Sequence, residues 1–267
     1  MKGRVLIVAG SDSGGGAGIQ ADLKTILALG AHGMTAITAL TAQDTLGVHG
    51  IHAVPPAFVR QQMEVVLADL GADAVKTGML GDATLIRTVV EMLRGRGLPL
   101  VMDPVMVAKG GARLLDPAAL DALRAMIPLA SVLTPNLPEA EALLGHPIDD
   151  PVHAARALLG LGAAAVLLKG GHGEGPIVRD VLATAEGVMV LEMPRIDTRH
   201  THGTGCTLAS AIAAGLSQGM VLEAAVRRAR AYVQAAIAAA PGFGAGHGPL
   251  DHSVREPEAM GSVRGAA

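Results

Sequence analysis

Val5-Leu-Ile-Val-Ala9, the loop Gly10-Ser-Asp-Ser-Gly-Gly-Gly-Ala-Gly-Ile-Gln-Ala-Asp22-Leu-Lys24 and the helical pattern Gly18 to Ala28 decide the fold class. An unbroken apolar run without polar alternation suits a strand covered on both faces, as in the buried parallel sheets of α/β proteins. A strand, a tight glycine loop and a helix, in that order, open a βαβ unit. The loop must curl sharply and bring backbone close to a ligand.

The same alternation continues outward. Runs rich in Val, Ile and Leu predict strands at 35–41, 74–77, 100–103, 131–134 and 164–169. Helical periodicity predicts helices at 57–70, 83–95, 117–126, 139–144, 152–159, 207–218 and 222–239. Ile177-Val-Arg-Asp-Val-Leu182 and Val188-Met-Val-Leu-Glu-Met193 read as a β-hairpin turning at Glu186-Gly187, an antiparallel addition to the sheet. No internal repeat or low-complexity linker divides the chain, so residues 1–250 read as one domain and 251–267 as a flexible tail. Gly, Pro and charged residues from about Pro241 onward predict a loosely held segment. Open parallel sheets bind ligands beyond the carboxyl ends of their strands, so chemistry is expected just after those runs.

At 267 residues and 50% hydrophobic, the chain can bury a substantial core, and its mean hydropathy of +0.43 reflects alanine and leucine in that core. A net charge of −3 and a pI near 6.3 leave no electrostatic footprint for nucleic acid or anionic lipid, so the expected partners are small molecules. The apolar run Val5 to Ala9 is too short for a secretory signal, no stretch reaches the roughly 18 residues of a membrane span, and the single cysteine suits a reducing compartment. A cytoplasmic protein is expected.

Asp197-Thr-Arg-His-Thr-His-Gly-Thr-Gly-Cys206 runs straight into the apolar helical pattern Thr207 to Leu216. Gly203 and Gly205 let backbone N–H groups approach a ligand, and the helix start favours negative charge, so the stretch reads as an anion trap suited to phosphate. The same residues fit a plain tight loop capped by Thr204. Cys206 falls in the first helical turn, where a thiol pKa tends to be lowered. His200, His202 and Cys206 invite a zinc reading, but their spacing fits no common zinc pattern and a fourth ligand is missing.

Asp103, before Pro104, and Glu139, after Pro138, end two further strands, and two carboxylates so placed can hold Mg²⁺. Glu139 fits equally well as a favourable first-turn residue of a helix. Arginine outnumbers lysine 16 to 5, which draws attention to Lys24, Lys76, Lys109 and Lys169 beside glycine-rich or acidic segments. Lys169 follows the strand Ala164 to Leu168, and its alternative role is that of a snorkelling surface lysine. Gly16-Ala-Gly18-Ile-Gln-Ala21 approximates a dinucleotide fingerprint with Asp44 downstream, which keeps an NAD-linked oxidoreductase as a rival reading. Neither a Walker-A sequence nor a protein-kinase glycine loop is present.

Taken in order, Ala9 to Thr25, Ala39-Leu-Thr-Ala-Gln-Asp44, Val75-Lys-Thr-Gly-Met-Leu80, Met102-Asp-Pro-Val-Met106, Thr134-Pro-Asn-Leu-Pro-Glu-Ala140, Leu168-Lys-Gly-Gly-His172 and Thr201-His-Gly-Thr-Gly-Cys206 resemble the bacterial hydroxymethylpyrimidine/phosphomethylpyrimidine kinases of thiamine synthesis. The resemblance runs to about residue 250. It implies a ribokinase-like α/β fold with a central, mainly parallel sheet flanked by helices on both faces, a homodimer, and use of ATP with Mg²⁺. It further implies two successive phosphorylations, of 4-amino-5-hydroxymethyl-2-methylpyrimidine and then of its monophosphate. By motif, Asp22 and Gln43 resemble the pyrimidine's hydrogen-bond partners and Met79 an apolar contact to its ring. Asp103 and Glu139 resemble the metal- and phosphate-side acids, and Lys169 a nucleotide-phosphate contact. Gly203, Thr204 and Gly205 resemble the anion hole, and Cys206 stands where related sugar kinases carry an aspartate base. One related kinase favours pyridoxal, and there a methionine is expected in place of Gln43. An amide can both accept from an exocyclic amine and donate to a ring nitrogen, so Gln43 favours the aminopyrimidine.

Overall fold

In a computed structural model, which describes residues 1–108, 110–171, 173 and 175–254, the chain forms one nine-stranded sheet with helices on both faces. The elements are β1 (Arg4–Asp12), α1 (Gly18–Ala28), β2 (His32–Gln43), β3 (Val48–Ala53), α2 (Pro56–Asp69), β4 (Ala74–Thr77), α3 (Ala83–Leu93) and β5 (Leu100–Met102). A short 3-10 turn (Pro117–Ala119) leads into α4 (Leu120–Met126), and β6 (Val132–Leu133), α5 (Leu137–Leu144), α6 (Pro151–Leu159) and β7 (Ala165–Leu168) follow. The hairpin β8 (Ile177–Thr184) and β9 (Gly187–Pro194) precedes α7 (Thr204–Ser217) and α8 (Leu222–Ala238).

Strand order is β3-β2-β1-β4-β5-β6-β7-β8-β9. The six strands from β2 to β7 run parallel, while β3 at one end and β8 and β9 at the other pair antiparallel. Along β1, Val5, Ile7 and Ala9 pack with α1, α7 and α8, while Leu6 and Val8 face the layer of α2 to α6. Its lack of polar alternation follows from having apolar neighbours on both sides. Asp82 caps α3 by accepting from the amides of Thr84 and Leu85, and Asp150 caps α6 through Val152. Among the described residues no helix is long and apolar enough to cross a membrane.

The predicted strands and helices all occur, and the hairpin turns between Thr184 and Gly187. Three features differ. β3 was not anticipated: it is exposed along nearly its whole length and shows no apolar face. Helix α7 begins at Thr204 rather than at 207, because Gly203, with φ of +87°, takes the N-cap position and turns the chain directly into the helix.

The segment from Pro241 to Val254 is held rather than loose. The His247 amide donates to the Thr45 carbonyl at 2.8 Å, Pro249 bridges to His202, and Leu250 and His252 are buried. His252 Nε2 lies 2.9 Å from Thr207 Oγ1 on α7, and its carbonyl accepts from the Tyr232 hydroxyl at 2.9 Å. Four residues of the predicted tail, Asp251 to Val254, belong to this strap; the remainder lies outside the described residues.

Candidate active site

The carboxyl ends of the parallel strands and the start of α7 enclose a cleft of about 930 Å³. The loop after β1, Gln43 from β2, Lys76 from β4, Met79 just beyond it, Asp103 after β5, Glu139 on α5, Lys169 after β7 and Gly203 to Cys206 all line it. Parallel strands bring their carboxyl ends to one rim, so residues separated by most of the chain meet there.

At the centre, Lys169 Nζ lies 2.9 Å from Asp103 Oδ1 and 3.9 Å from Glu139 Oε2. The Lys169 amide donates to the Pro135 carbonyl, while the next amide, Gly170, donates to Asp180 at 2.8 Å. Asp180 is locked by an ion pair with Arg230 at 2.7 Å, so α8 and β8 together fix the turn that carries the lysine. Lys169 is therefore a half-buried ion-pairing group and not a snorkelling surface residue. Burial works to lower its pKa, but Asp103 and Glu139 outweigh that and hold it above the ordinary lysine value.

Glu139 plays both of the roles its position allows. With Asn136 it forms a capping box: its backbone amide donates to Asn136 Oδ1 at 2.9 Å, and its carboxylate accepts from the Asn136 amide at 2.8 Å. Its carboxyl also faces Lys169. Burial pushes its pKa up to about 7 against the pull of Lys169, with the nearby Asp103 adding to the rise.

Gly203 could carry no side chain, since a Cβ there would collide with the Gly16 carbonyl. A Cβ on Gly205 would stand 3.3 Å from Lys169 Nζ and 3.7 Å from Asp103 Oδ2. The bare backbone at the start of α7 thus lies directly against the ammonium, and the positive end of the helix and a fixed cation converge on one spot. Thr204 is the first helical residue, not the cap, and α7 has no side-chain cap.

Cys206 is in the first turn, as expected, but its thiol is not activated as it stands. Burial pushes its pKa up to about 11, outweighing the lowering from Lys76 and from the Gly18 amide. The expected lowering at a helix start is thus overturned by desolvation.

Asp22 does not line the cleft. It is wholly buried behind the rim, where both its oxygens accept from Lys76 Nζ at 2.9 Å and Oδ1 also accepts from Ser210 at 2.6 Å. The residue that reaches the cleft is Lys76. Burial works to lower its pKa, but Asp22, Cys206 and Asp103 hold it raised, so it is a permanent cation beside the cysteine. The scarcity of lysine flagged Lys76, but its pairing with Asp22 across 54 residues left no local sign. Of the other flagged lysines, Lys24 donates to the Gly15 carbonyl and Lys109 lies outside the described residues.

Met79 is buried against the cleft, and Gln43 stands at its β2 end. At the opposite end of the strand order, Val178, Met193, Val233, Gln234 and Ile237 form a largely apolar slot that the sequence reading did not single out. Its residues come from two strands and a helix, each of which reads locally as ordinary edge or core.

The rival readings find no support in this geometry. Asp12 accepts from the amides of Gly14, Gly16 and Ala17, the donors a dinucleotide pyrophosphate would need, and Asp44 closes its own turn through Leu46 and Gly47. Burial works to raise the Asp12 pKa, but hydrogen bonds from His202, Ala17 and Gly14 hold it below the usual carboxylate range. Among the described residues no group of three or more His, Cys, Asp or Glu side chains is placed to hold a metal on its own, which removes the zinc reading.

The phosphomethylpyrimidine kinase family profile matches residues 12–251. A hydroxymethylpyrimidine/phosphomethylpyrimidine kinase from Streptomyces coelicolor is 52% identical over 93% of this chain and 93% of its own. Among solved structures, an ADP complex of Bacillus subtilis pyridoxal kinase superposes with a TM-score of 0.88 at 38% identity, covering 95% of this chain and 98% of that one. A phosphomethylpyrimidine kinase from Clostridium difficile superposes at 0.77 with 41% identity, over 87% of this chain and 98% of that one. With a match that spans nearly the whole sheet and every strand end that lines the cleft, the chain belongs to the phosphomethylpyrimidine kinase family.

Proposed function

We propose that this protein transfers the γ-phosphoryl group of ATP to 4-amino-5-hydroxymethyl-2-methylpyrimidine and then phosphorylates the resulting monophosphate. The observation that carries this reading is the convergence of the Lys169 ammonium and the Gly205 backbone, 3.3 Å from a Cβ position there, midway between two unlike ends of one cleft. Phosphoryl transfer needs positioning and charge neutralisation more than strong acids or bases, and a fixed cation over helix-start amides supplies both. The end with Gln43 and Met79 suits a flat polar ring, and the slot of Val178, Met193, Val233 and Ile237 suits the nucleotide base. An aminopyrimidine is favoured over pyridoxal by the amide of Gln43 and by the higher identity to pyrimidine kinases, 52% against 38%.

Asp103 and Glu139 are two carboxylates facing one lysine, an arrangement that still carries excess negative charge when both are ionised. That donor set fits Mg²⁺, which characteristically takes one or two carboxylates and completes its shell with water and substrate phosphates. When bound there, the ion would neutralise charge on the transferring phosphates. Lys169 orients the phosphates, Gly203, Thr204 and Gly205 present backbone donors to the moving group, and Cys206 accepts the proton of the pyrimidine's hydroxyl in the first transfer. Asp22 and Ser210 act one layer behind, holding Lys76 in place beside Cys206.

A homodimer completes this reading. Leu40, Leu46 and Ile51 are exposed on the β2–β3 ribbon, whose β3 strand has no buried residue. A cytoplasmic setting accords with the lone free cysteine.

The direct test is ADP release with the hydroxymethylpyrimidine, its monophosphate, pyridoxal and an NAD-linked substrate set compared side by side. Turnover is expected with both pyrimidines and lower kcat/KM with pyridoxal. Preference for pyridoxal, or no ADP with either pyrimidine, would overturn the assignment.

A further inference from the structure

Asp12, His202 and Thr41 join Gln43 in a chain of polar side chains at the β2 end of the cleft, and of the four the reaction above uses Gln43 alone. His202 Nε2 lies 2.9 Å from Asp12 Oδ2 and 3.3 Å from Gln43 Nε2. Thr41 Oγ1 lies 2.9 Å from the Ser11 carbonyl oxygen and 3.1 Å from Gln43 Oε1. Asp12 and His202 are both buried.

The proton inventory of this chain is restrictive. Asp12 already takes three backbone N–H groups as an ionised acceptor, so the contact to His202 requires a proton on Nε2. That nitrogen then has no lone pair for Gln43, and a Gln43 NH₂ facing it sets donor against donor. The oxygen and nitrogen of a glutamine amide are nearly the same size and are told apart by their partners. A half-turn of the amide brings the Gln43 oxygen to the His202 N–H, a longer contact shared with Asp12. The same turn brings the NH₂ to Thr41 Oγ1, whose own proton goes to the Ser11 carbonyl. Every contact within the chain then joins a donor to an acceptor, and the amide keeps one N–H and one lone pair for a ligand.

We propose that His202, anchored by Asp12, and Thr41, anchored by Ser11, fix the polarity of the Gln43 amide, making His202 a specificity-determining positioning residue. The ligand edge it selects is an acceptor nitrogen beside an exocyclic amine. Asp12 also binds the amides of Gly14, Gly16 and Ala17, so the same carboxylate sets the glycine loop and the polarity of the reading group together. This inference rests on the assignment of Gln43 to the pyrimidine end, and its test separates the two.

Calorimetry on the full chain would compare the aminopyrimidine with an analogue lacking the exocyclic amine. His202→Leu is expected to weaken the aminopyrimidine about tenfold and the analogue less than about threefold, the scale of one lost neutral hydrogen bond. His202→Gln, which keeps an N–H donor, restores most of the difference. The double variant His202→Leu/Gln43→Ala binds no more weakly than Gln43→Ala alone, because both substitutions disable the same contact. Thr41→Val removes the other anchor and carries the same comparison should His202→Leu fail to fold. Equal losses for both ligands, or additive losses in the double variant, would overturn the proposal while leaving Gln43 in the site. If Gln43→Ala itself does not distinguish the two ligands, the assignment of Gln43 falls and this proposal falls with it.

Discussion

Cys206 carries a thiol pushed up to about 11 by burial, so at neutral pH it is almost wholly protonated. Below that value the thiolate fraction rises tenfold with each pH unit. The first transfer must remove a proton from an alcohol, whereas the second acts on a phosphate monoester whose second pKa of about 6 leaves it already ionised. The first transfer is therefore expected to accelerate steeply between about pH 7 and about pH 9 while the second gains no more than the about twofold that full ionisation of Glu139 gives both, and Cys206→Ala to slow the first roughly 10²-fold and reduce its slope to that of the second. Single-turnover rates with each pyrimidine check this. Equal losses in both transfers, with no change of slope, would make Cys206 a wall of the anion hole and not a base.

At the scale of single elements, the start of α7 joins two demands on one residue. Gly203 needs a positive φ and also lies against the Gly16 carbonyl. Gly219, just past the other end of the same helix, has a similar φ of +83° but nothing within 4 Å of its Cβ position. A left-handed conformation costs an alanine about 1–2 kcal/mol, which at this chain length lowers Tm by about 2–8 °C. Gly219→Ala should show that loss in a thermal melt and Gly203→Ala a larger one, since its Cβ also collides with the Gly16 carbonyl, and only Gly203→Ala should lose transfer activity by more than about tenfold, because its Cβ displaces the backbone of the anion hole. Comparable activity in the two variants would show that the glycine contact does not shape the site.

The same elements show where the sequence was legible. The strand at Ala165–Leu168 and the helix at Gly18–Ala28 follow from apolar runs covered on both sides and from helical periodicity, both local signals. β3 could not be read this way: Val48-His-Gly-Ile-His-Ala53 has no face against the core, so burial leaves no pattern in it. Asp22 and Lys76 were each visible as charges in apolar surroundings. Their ion pair was not, because it is made only when α1 packs on β1 and β4 pairs beside that strand, and without it Asp22 reads as free for a ligand. The Gly- and Pro-rich strap suffered the opposite error, since its glycines mark close packing on Thr45 and His200 rather than looseness.

Across the whole molecule, the two ends of the sheet are treated differently. The β8–β9 end is backed by α8 through Arg230, whose Nη2 donates to the Leu191 carbonyl and whose Nε pairs with Asp180. The β2–β3 end projects beyond α2 as a ribbon with Leu40, Leu46 and Ile51 exposed, and the C-terminal strap ties down only its turn, at Thr45. A two-stranded ribbon without a covering layer is marginally stable in water, and an uncovered edge strand invites pairing. Leu40 pairs with His52 and Ile51 with Thr41, so the two lie on opposite faces of the ribbon, and a second copy related by a two-fold axis would cover both by clasping the ribbon. Because Gln43 ends β2, such a contact would also steady the residue that reads the ring. Sedimentation velocity of the unaltered protein is therefore expected to give a dimer, and Leu40→Asp with Ile51→Asp to shift it toward monomer with an unchanged far-UV spectrum. The separated protomer should show a raised KM for the pyrimidine and little change in KM for ATP, whose proposed slot lies at the other end of the strand order. A monomer at every concentration, before any substitution, would remove the second copy from the account and leave the ribbon to be steadied by the strap alone.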